Sequence, residues 1–123
     1  DYRIEVPEHL AQCQMTRFLI QPLVENVFVH AFKARIDHKR LTIRAHLDGN
    51  KLAIEIIDNG SGIPEHQLRS LLQDEEQQLE HLGIRMVRRR IELTYGEEYG
   101  LHISSQVNVG TKLTLLLPYI SAA

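Results

Sequence analysis

Apolar and polar residues alternate along "RLTIRAHLDGNKLAIEIID" with the two-residue rhythm of a strand pair. Leu41, Ile43, Ala45 and Leu47 interleave with Thr42, Arg44 and His46; Asp48-Gly49-Asn50 predicts the turn, and Leu52, Ile54 and Ile56 continue on the return strand. A shorter alternation over Tyr2 to Val6 predicts another strand, ended by Pro7. The rhythm becomes helical in "MTRFLIQPLVENVFVHAFKAR", with Thr16 as an N-cap and Leu19, Leu23, Val27 and Ala31 on one stripe. Pro22 suits a first turn better than a helix interior, which predicts a start nearer Leu19. "PEHQLRSLL" predicts a short helix with Pro64 at its first position. "QDEEQQLEH" has no apolar face and predicts a loose segment. A second long helix is predicted from about Gly83 to Tyr95, with Ile84, Val87, Ile91 and Tyr95 inward and Gly96 as its C-cap. Leu101, Ile103 and Ser105 alternate, "VNVGT" turns, and "KLTLLLP" forms the last strand.

The order strand, helix, hairpin, short helix, helix, hairpin argues against a doubly wound parallel sheet. It predicts an α+β fold, a two-layer α/β sandwich whose mixed, mostly antiparallel sheet carries its helices on one face. The 123 residues suit a single domain, 1–123, able to bury a core without metal or disulfide. A net charge of −2 and 6% aromatic residues provide no general field or stacking surface for nucleic acid. Cys13 is the sole cysteine, so there is no internal disulfide, which fits a reducing cytoplasm. No apolar run approaches the roughly 20 residues that span a bilayer. The chain opens on a strand pattern without a Met and is read as a fragment of a longer protein.

Chemistry concentrates where "EIIDNGSGIP" leaves the second hairpin strand. Asp58 shares parity with Leu52, Ile54 and Ile56, which directs its carboxylate into the space between sheet and helices. There it needs donors, and a ligand with an exocyclic amine would provide one; the plainer alternative is an Asx turn with Gly60. Gly60 and Gly62 permit positive φ and close approach, or simply make a flexible loop. Asn26 and His30 lie one turn apart on the long helix, flanked by Glu25 and Lys33. An amide and a carboxylate there suit Mg²⁺, though a polar helix edge explains them equally. Thr111 shares parity with Leu113, Leu115 and Leu117 and should face the same layer as Asp58, unless it only opens the strand. His9, His38, His46, His66, His81 and His102 show no ligand spacing and read as scattered surface residues; Arg88 to Arg90 read as a solvated face. No set suggests a Ser/His/Asp or Cys/His triad.

In order along the chain, "LIQPLVENVFVHA", "IIDNGSGIP", "HLGIRMVRRRIELTYGEEYG" and "VGTKLTLLLP" resemble the N box, the first glycine box, the lid-end glycine box and the final Gly-Thr box of the GHKL (Bergerat-fold) ATPase family. The likeness is greatest to the catalytic ATP-binding domain of LytS/YesM-like sensor histidine kinases. The resemblance implies ATP and Mg²⁺ as cofactors. It implies Asp58 as acceptor for the adenine amine, Gly62 and Thr111 holding adenine and its water, and Asn26 as the Mg²⁺ ligand, with Glu25 and Asn26 as catalytic residues. His30, Lys33, Gly60, Ile63, Gly83, Ile84 and Arg85 complete the implied ATP site. Residues 67–82 would form the lid.

The resemblance also implies partners: a phospho-accepting His domain of the same kinase, dimeric in the full-length protein, and a response regulator. Nucleic acid is not among them, and a membrane is reached only through an upstream part, placing this domain in the cytoplasm of a membrane-anchored bacterial sensor kinase. The sequence departs from the family's pattern at Pro22, Val29 and Met86. Those departures support a second reading, a degenerate domain acting as a nucleotide-dependent binding module. A serine kinase of the anti-sigma type on the same fold fits the "QPLVEN" and "ELTYGEEYG" stretches less well.

Overall fold

The computed structural model describes residues 2–5, 14–28, 38–72 and 81–119. In chain order they form β1 (Tyr2–Glu5), α1 (Gln14–Asn26), β2 (Leu41–Asp48), β3 (Lys51–Asp58), α2 (Glu65–Leu72), α3 (Leu82–Tyr95), β4 (Gly100–Gln106) and β5 (Gly110–Pro118). The strands lie in the order β1-β2-β3-β5-β4. β1 runs parallel to β2 and every other pair is antiparallel, the mixed and mostly antiparallel sheet that the pattern predicts.

Register turns the two-residue rhythm into rows across one face. Ala45, Ile54, Leu115 and Leu101 make one row; Ile43, Ile56, Leu113 and Ile103 make the next. Leu19, Leu23 and Val27 of the first helical stretch and Ile84, Val87 and Ile91 of α3 cover these rows in a single apolar cluster. Each fully buried Leu or Ile contributes about 1.5–3 kcal/mol relative to exposure, so the rows and stripes select one another. On the opposite face Glu55 meets Lys112 across the β3–β5 pair at 2.7 Å, the polar pattern of a sheet with one solvated side.

Several boundaries differ from the sequence pattern. α1 starts at Gln14 and contains Pro22 in its interior. Burial of Leu19 and Leu23 on both sides of Pro22 outweighs the hydrogen bond that the proline cannot donate. The backbone at Pro22 also lies against α3: a Cβ added at Gly83 would lie 3.1 Å from the Pro22 carbonyl oxygen. Gly83 is therefore a helix-packing glycine inside α3. Residues 67–72, where the expected lid begins, are helical and belong to α2, with Leu71 1% exposed in the core. Arg88 donates to the Leu71 carbonyl at 2.9 Å, satisfying an acceptor at the end of α2. Arg88 also pairs with Glu92, so only Arg89 and Arg90 form the solvated face expected of all three arginines.

Leu47, expected inward, is exposed near the hairpin turn. Gly96 does cap α3, its N–H donating to Glu92 O at 3.0 Å from φ 98°. Ala31 and residues 73–80 of the expected lid lie outside the described residues. Among the described residues, no helix is long and apolar enough to cross a membrane.

Candidate functional site

The third row of the sheet breaks the apolar pattern. Leu41, Asp58, Thr111 and Ser105 stand abreast on β2, β3, β5 and β4, on the same face as the core. Asp58 and Thr111 are 7% and 6% exposed, so a carboxylate and a hydroxyl are set at the end of an apolar layer. The hydroxyls are linked: Ser105 Oγ lies 2.8 Å from Thr111 Oγ1, donates to Gly110 O at 3.1 Å and accepts the Ile63 N–H at 2.7 Å. With the Ser105 proton on Gly110 O, Thr111 donates to Ser105 and keeps its lone pairs for another partner.

Both sequence alternatives for Asp58 hold at once. Its Oδ1 accepts the Gly60 N–H at 2.8 Å, closing the Asx turn. The same side chain lines a cavity. Burial raises its pKa above the ordinary 3.8, opposed by the backbone N–H groups of Gly60 and Thr111. Gly60 is not left-handed; Gly62 is, at φ 77°. A Cβ at Gly62 would come within 2.3 Å of Gln106 O, so this glycine lets the loop press against the β4–β5 turn. The loop is fastened at further points. Asn59 Oδ1 accepts the Arg40 N–H at 2.7 Å, its Nδ2 donates to His38 O at 2.6 Å, and Ser61 O accepts the Asn108 N–H at 2.8 Å.

The cavity is lined by Asn26, Val27, Asp58, Gly62, Ile63, His81, Thr111 and Leu113. Its free space for the centre of a water-sized sphere is about 10 Å³, room for about one water. Asp58 and Thr111 line it beside the apolar Val27, Ile63 and Leu113, and in the same lining Asn26 Oδ1 lies 3.3 Å from His81 Nδ1.

Of the residues predicted for the site, Asn26, Asp58, Gly62, Ile63 and Thr111 come together here. Gly60 shapes the loop from outside the lining. Glu25 is exposed beside Gln21, whose Nε2 is 3.5 Å from its Oε1, and it does not line the cavity. Gly83, Ile84 and Arg85 lie on α3, Ile84 wholly in the core, and none of the three lines the cavity. His30 and Lys33 lie outside the described residues. Sequence reasoning missed Ser105, whose parity with Leu101 and Ile103 was the available signal, and the Asn59 clamp. It also misplaced His81, which is 6% exposed and not a surface residue. Among the described residues, no three His, Cys, Asp or Glu side chains gather into a metal cluster.

A five-stranded mixed sheet with helices on one face, and a carboxylate, glycine and threonine meeting at its polar end, is the arrangement that the four motifs anticipate. Residues 15–121 match the model of the histidine kinase-, DNA gyrase B-, and HSP90-like ATPase family, and the chain belongs to that family. The sensor histidine kinase BtsS of Escherichia coli (strain K12) is 30% identical over 116 residues, covering 94% of this chain and 19% of that protein. The sensor protein LytS of Bacillus subtilis (strain 168) is 31% identical over 121 residues, covering 95% and 20%. YesM, a sensor histidine kinase of the same species, is 27% identical over 117 residues. The chain thus spans about a fifth of the length of these relatives. In fold it is similar to the histidine kinase domain of the blue-light activated kinase of Erythrobacter litoralis EL346, with a TM-score of 0.66 at 18% identity, covering 96% of this chain and 51% of that one.

Proposed function

We propose that this chain is the ATP-binding catalytic domain of a LytS/YesM-like sensor histidine kinase. One observation carries the reading: a buried carboxylate, Asp58, set in a cavity with Thr111 and the apolar side chains Val27, Ile63 and Leu113. Such a slot suits a flat, largely apolar ring with one donor at its edge, and the adenine amine is that donor. Burial raises the pKa of Asp58, and a donor brought by the ligand would offset part of the solvation that burial removes. The cavity must widen from its present room for about one water to admit a base.

Asn26 lines the same cavity and is the side-chain oxygen donor available to Mg²⁺, whose remaining ligands would be phosphate and water. When bound, ATP·Mg²⁺ provides the γ-phosphoryl group and the charge that neutralises it in transfer. The chain's own residues bind and orient: Asp58 and Thr111 fix the base, Gly62 and Ile63 wall it, and Asn26 places the metal. The acceptor is a histidine on a separate helical dimerisation domain, through which the full-length kinase is a homodimer, and a response regulator receives the phosphoryl group. The domain works in the cytoplasm of a cell whose membrane anchors another part of the kinase. This chain does not phosphorylate a histidine of its own.

The exposed position of Glu25 favours a second reading. With no carboxylate of α1 at the cavity, the domain would bind nucleotide and act through nucleotide-dependent contacts without transferring phosphate.

Titration of ATP and ADP, with and without Mg²⁺, into wild type, Asp58→Ala and Asn26→Ala tests the proposal. Asp58→Ala should abolish binding of both nucleotides, and Asn26→Ala should mainly remove the Mg²⁺ dependence. Unaltered binding by Asp58→Ala would overturn the site. Label on a histidine of the isolated chain after exposure to radiolabelled ATP would overturn the separate-acceptor assignment.

A further inference from the structure

The cavity wall contains a histidine that the proposed reading does not require. His81 precedes α3 from a left-handed backbone, φ 57° and ψ 35°, and makes no side-chain cap bond to that helix. Left-handed backbone suits glycine and disfavours a side chain with a Cβ. Its carbonyl accepts the first-turn Arg85 N–H at 3.2 Å, so the backbone serves the helix while the ring turns elsewhere. His81 lines the cavity, and its Nδ1 lies 3.3 Å from Asn26 Oδ1. With an amide oxygen facing it, Nδ1 carries the proton and donates.

The imidazole and a metal ion need the same oxygen. Mg²⁺ sits about 2.0–2.1 Å from its ligand oxygens. A Mg²⁺ held by Asn26 Oδ1 would share that oxygen with the ring, whose N–H would draw on the same lone-pair density and turn its positive edge toward the cation. We propose that His81 is an affinity-setting residue of this site: it holds the Asn26 oxygen in the free protein, and Mg²⁺–nucleotide must displace it. The proposal rests on the nucleotide-binding reading and adds a competitor built into the chain.

The test is calorimetric titration of ADP, with Mg²⁺ and with EDTA, into wild type, His81→Gly and His81→Ala. Urea unfolding confirms that each variant is folded. His81→Gly relieves the left-handed backbone and carries the test if His81→Ala does not fold. With Mg²⁺, removal of the ring should tighten ADP binding about fivefold, the equivalent of one neutral hydrogen bond. With EDTA the change should be under about twofold, because the competition is for the metal's ligand.

Unchanged affinity beside a wild type that binds would overturn this inference and leave the domain reading standing. Weaker binding would make His81 a nucleotide contact and overturn it likewise. An equal gain with and without Mg²⁺ would reduce the ring to a space-filler, against the competition at Asn26. Absence of binding by all three proteins would overturn both readings.

Discussion

Asp58→Asn separates what the buried carboxylate does for the ligand from what it costs the fold. Asparagine keeps the size and can keep the turn, since its Oδ1 can accept the Gly60 N–H as the carboxylate does at 2.8 Å. The amide nitrogen then faces the cavity, presenting a donor where the adenine amine also brings donors. The hydrogen bond lost is one to a charged acceptor, worth about 1.5–3 kcal/mol, so ADP affinity should fall roughly 10- to 150-fold. Stability should move the other way. The folded-state pKa of Asp58 lies above its unfolded value because burial disfavours the charge. The folded chain therefore holds this proton more tightly, and the contribution of Asp58 to stability declines as pH rises from 3.8 through the raised value. Asparagine has no such decline. Urea unfolding at several pH values should find Asp58→Asn gaining on wild type as pH rises through that window, while ADP titration at pH 7 finds the loss of affinity. Wild-type affinity in the variant, or a stability difference that does not grow with pH, would refute the reasoning.

Other consequences are as direct. Leu71→Ala should cost about 2–5 kcal/mol in urea unfolding, since Leu71 is 1% exposed; a cost under about 1 kcal/mol would contradict its place in the core. Gly110→Ala should cost more than about 2 kcal/mol or abolish folded protein, because the backbone is at φ 145° and a Cβ would meet Asp58 O at 2.0 Å; Gly49→Ala, with no neighbour within 4 Å, should cost only about 1–2 kcal/mol for its left-handed φ. Lys112→Met should destabilise the chain at pH 7 by less than about 1 kcal/mol, the partner lysine being half exposed. Glu55 is held below the ordinary 4.5 chiefly by its hydrogen bond to Lys112, so it stabilises above that pH and loses the contribution as pH falls through its lowered pKa. The gap between Lys112→Met and wild type should therefore close on acidification below 4.5, as followed by urea midpoints.

The polar end of the sheet was legible because strand parity is local. Asp58 and Thr111 carry the parity of Ile56 and Leu113, and one register places them opposite each other. The helical stripes of α1 and α3 were legible for the same reason, with a different period. What was not legible depends on contacts distant in sequence. Gly62 was read as room for a ligand, yet on one side its neighbour is the Gln106 backbone, 44 positions on. Ser105 looked like an ordinary strand residue until the Ile63 N–H was found on its hydroxyl. Pro22 misled because local propensity argues for a helix start, whereas the packing of Leu19 and Leu23 keeps the helix whole. The resemblance starts the lid at residue 67, whereas residues 67–72 are helical in α2 and Leu71 is buried, a contact that no local pattern announces. His81 is the largest miss: no spacing in the chain announces that it meets Asn26, 55 residues earlier.

The central claim is that the Asp58 carboxylate recognises the amino edge of adenine. The direct measurement is titration of ADP and GDP, each with Mg²⁺, into the wild-type chain under the same conditions. Guanine places a carbonyl oxygen where adenine carries its amine, and that acceptor would face the acceptor oxygens of Asp58 instead of bringing them a donor. ADP should bind, and GDP should bind at least tenfold more weakly. Equal affinity for the two, or binding of neither, would contradict the central claim.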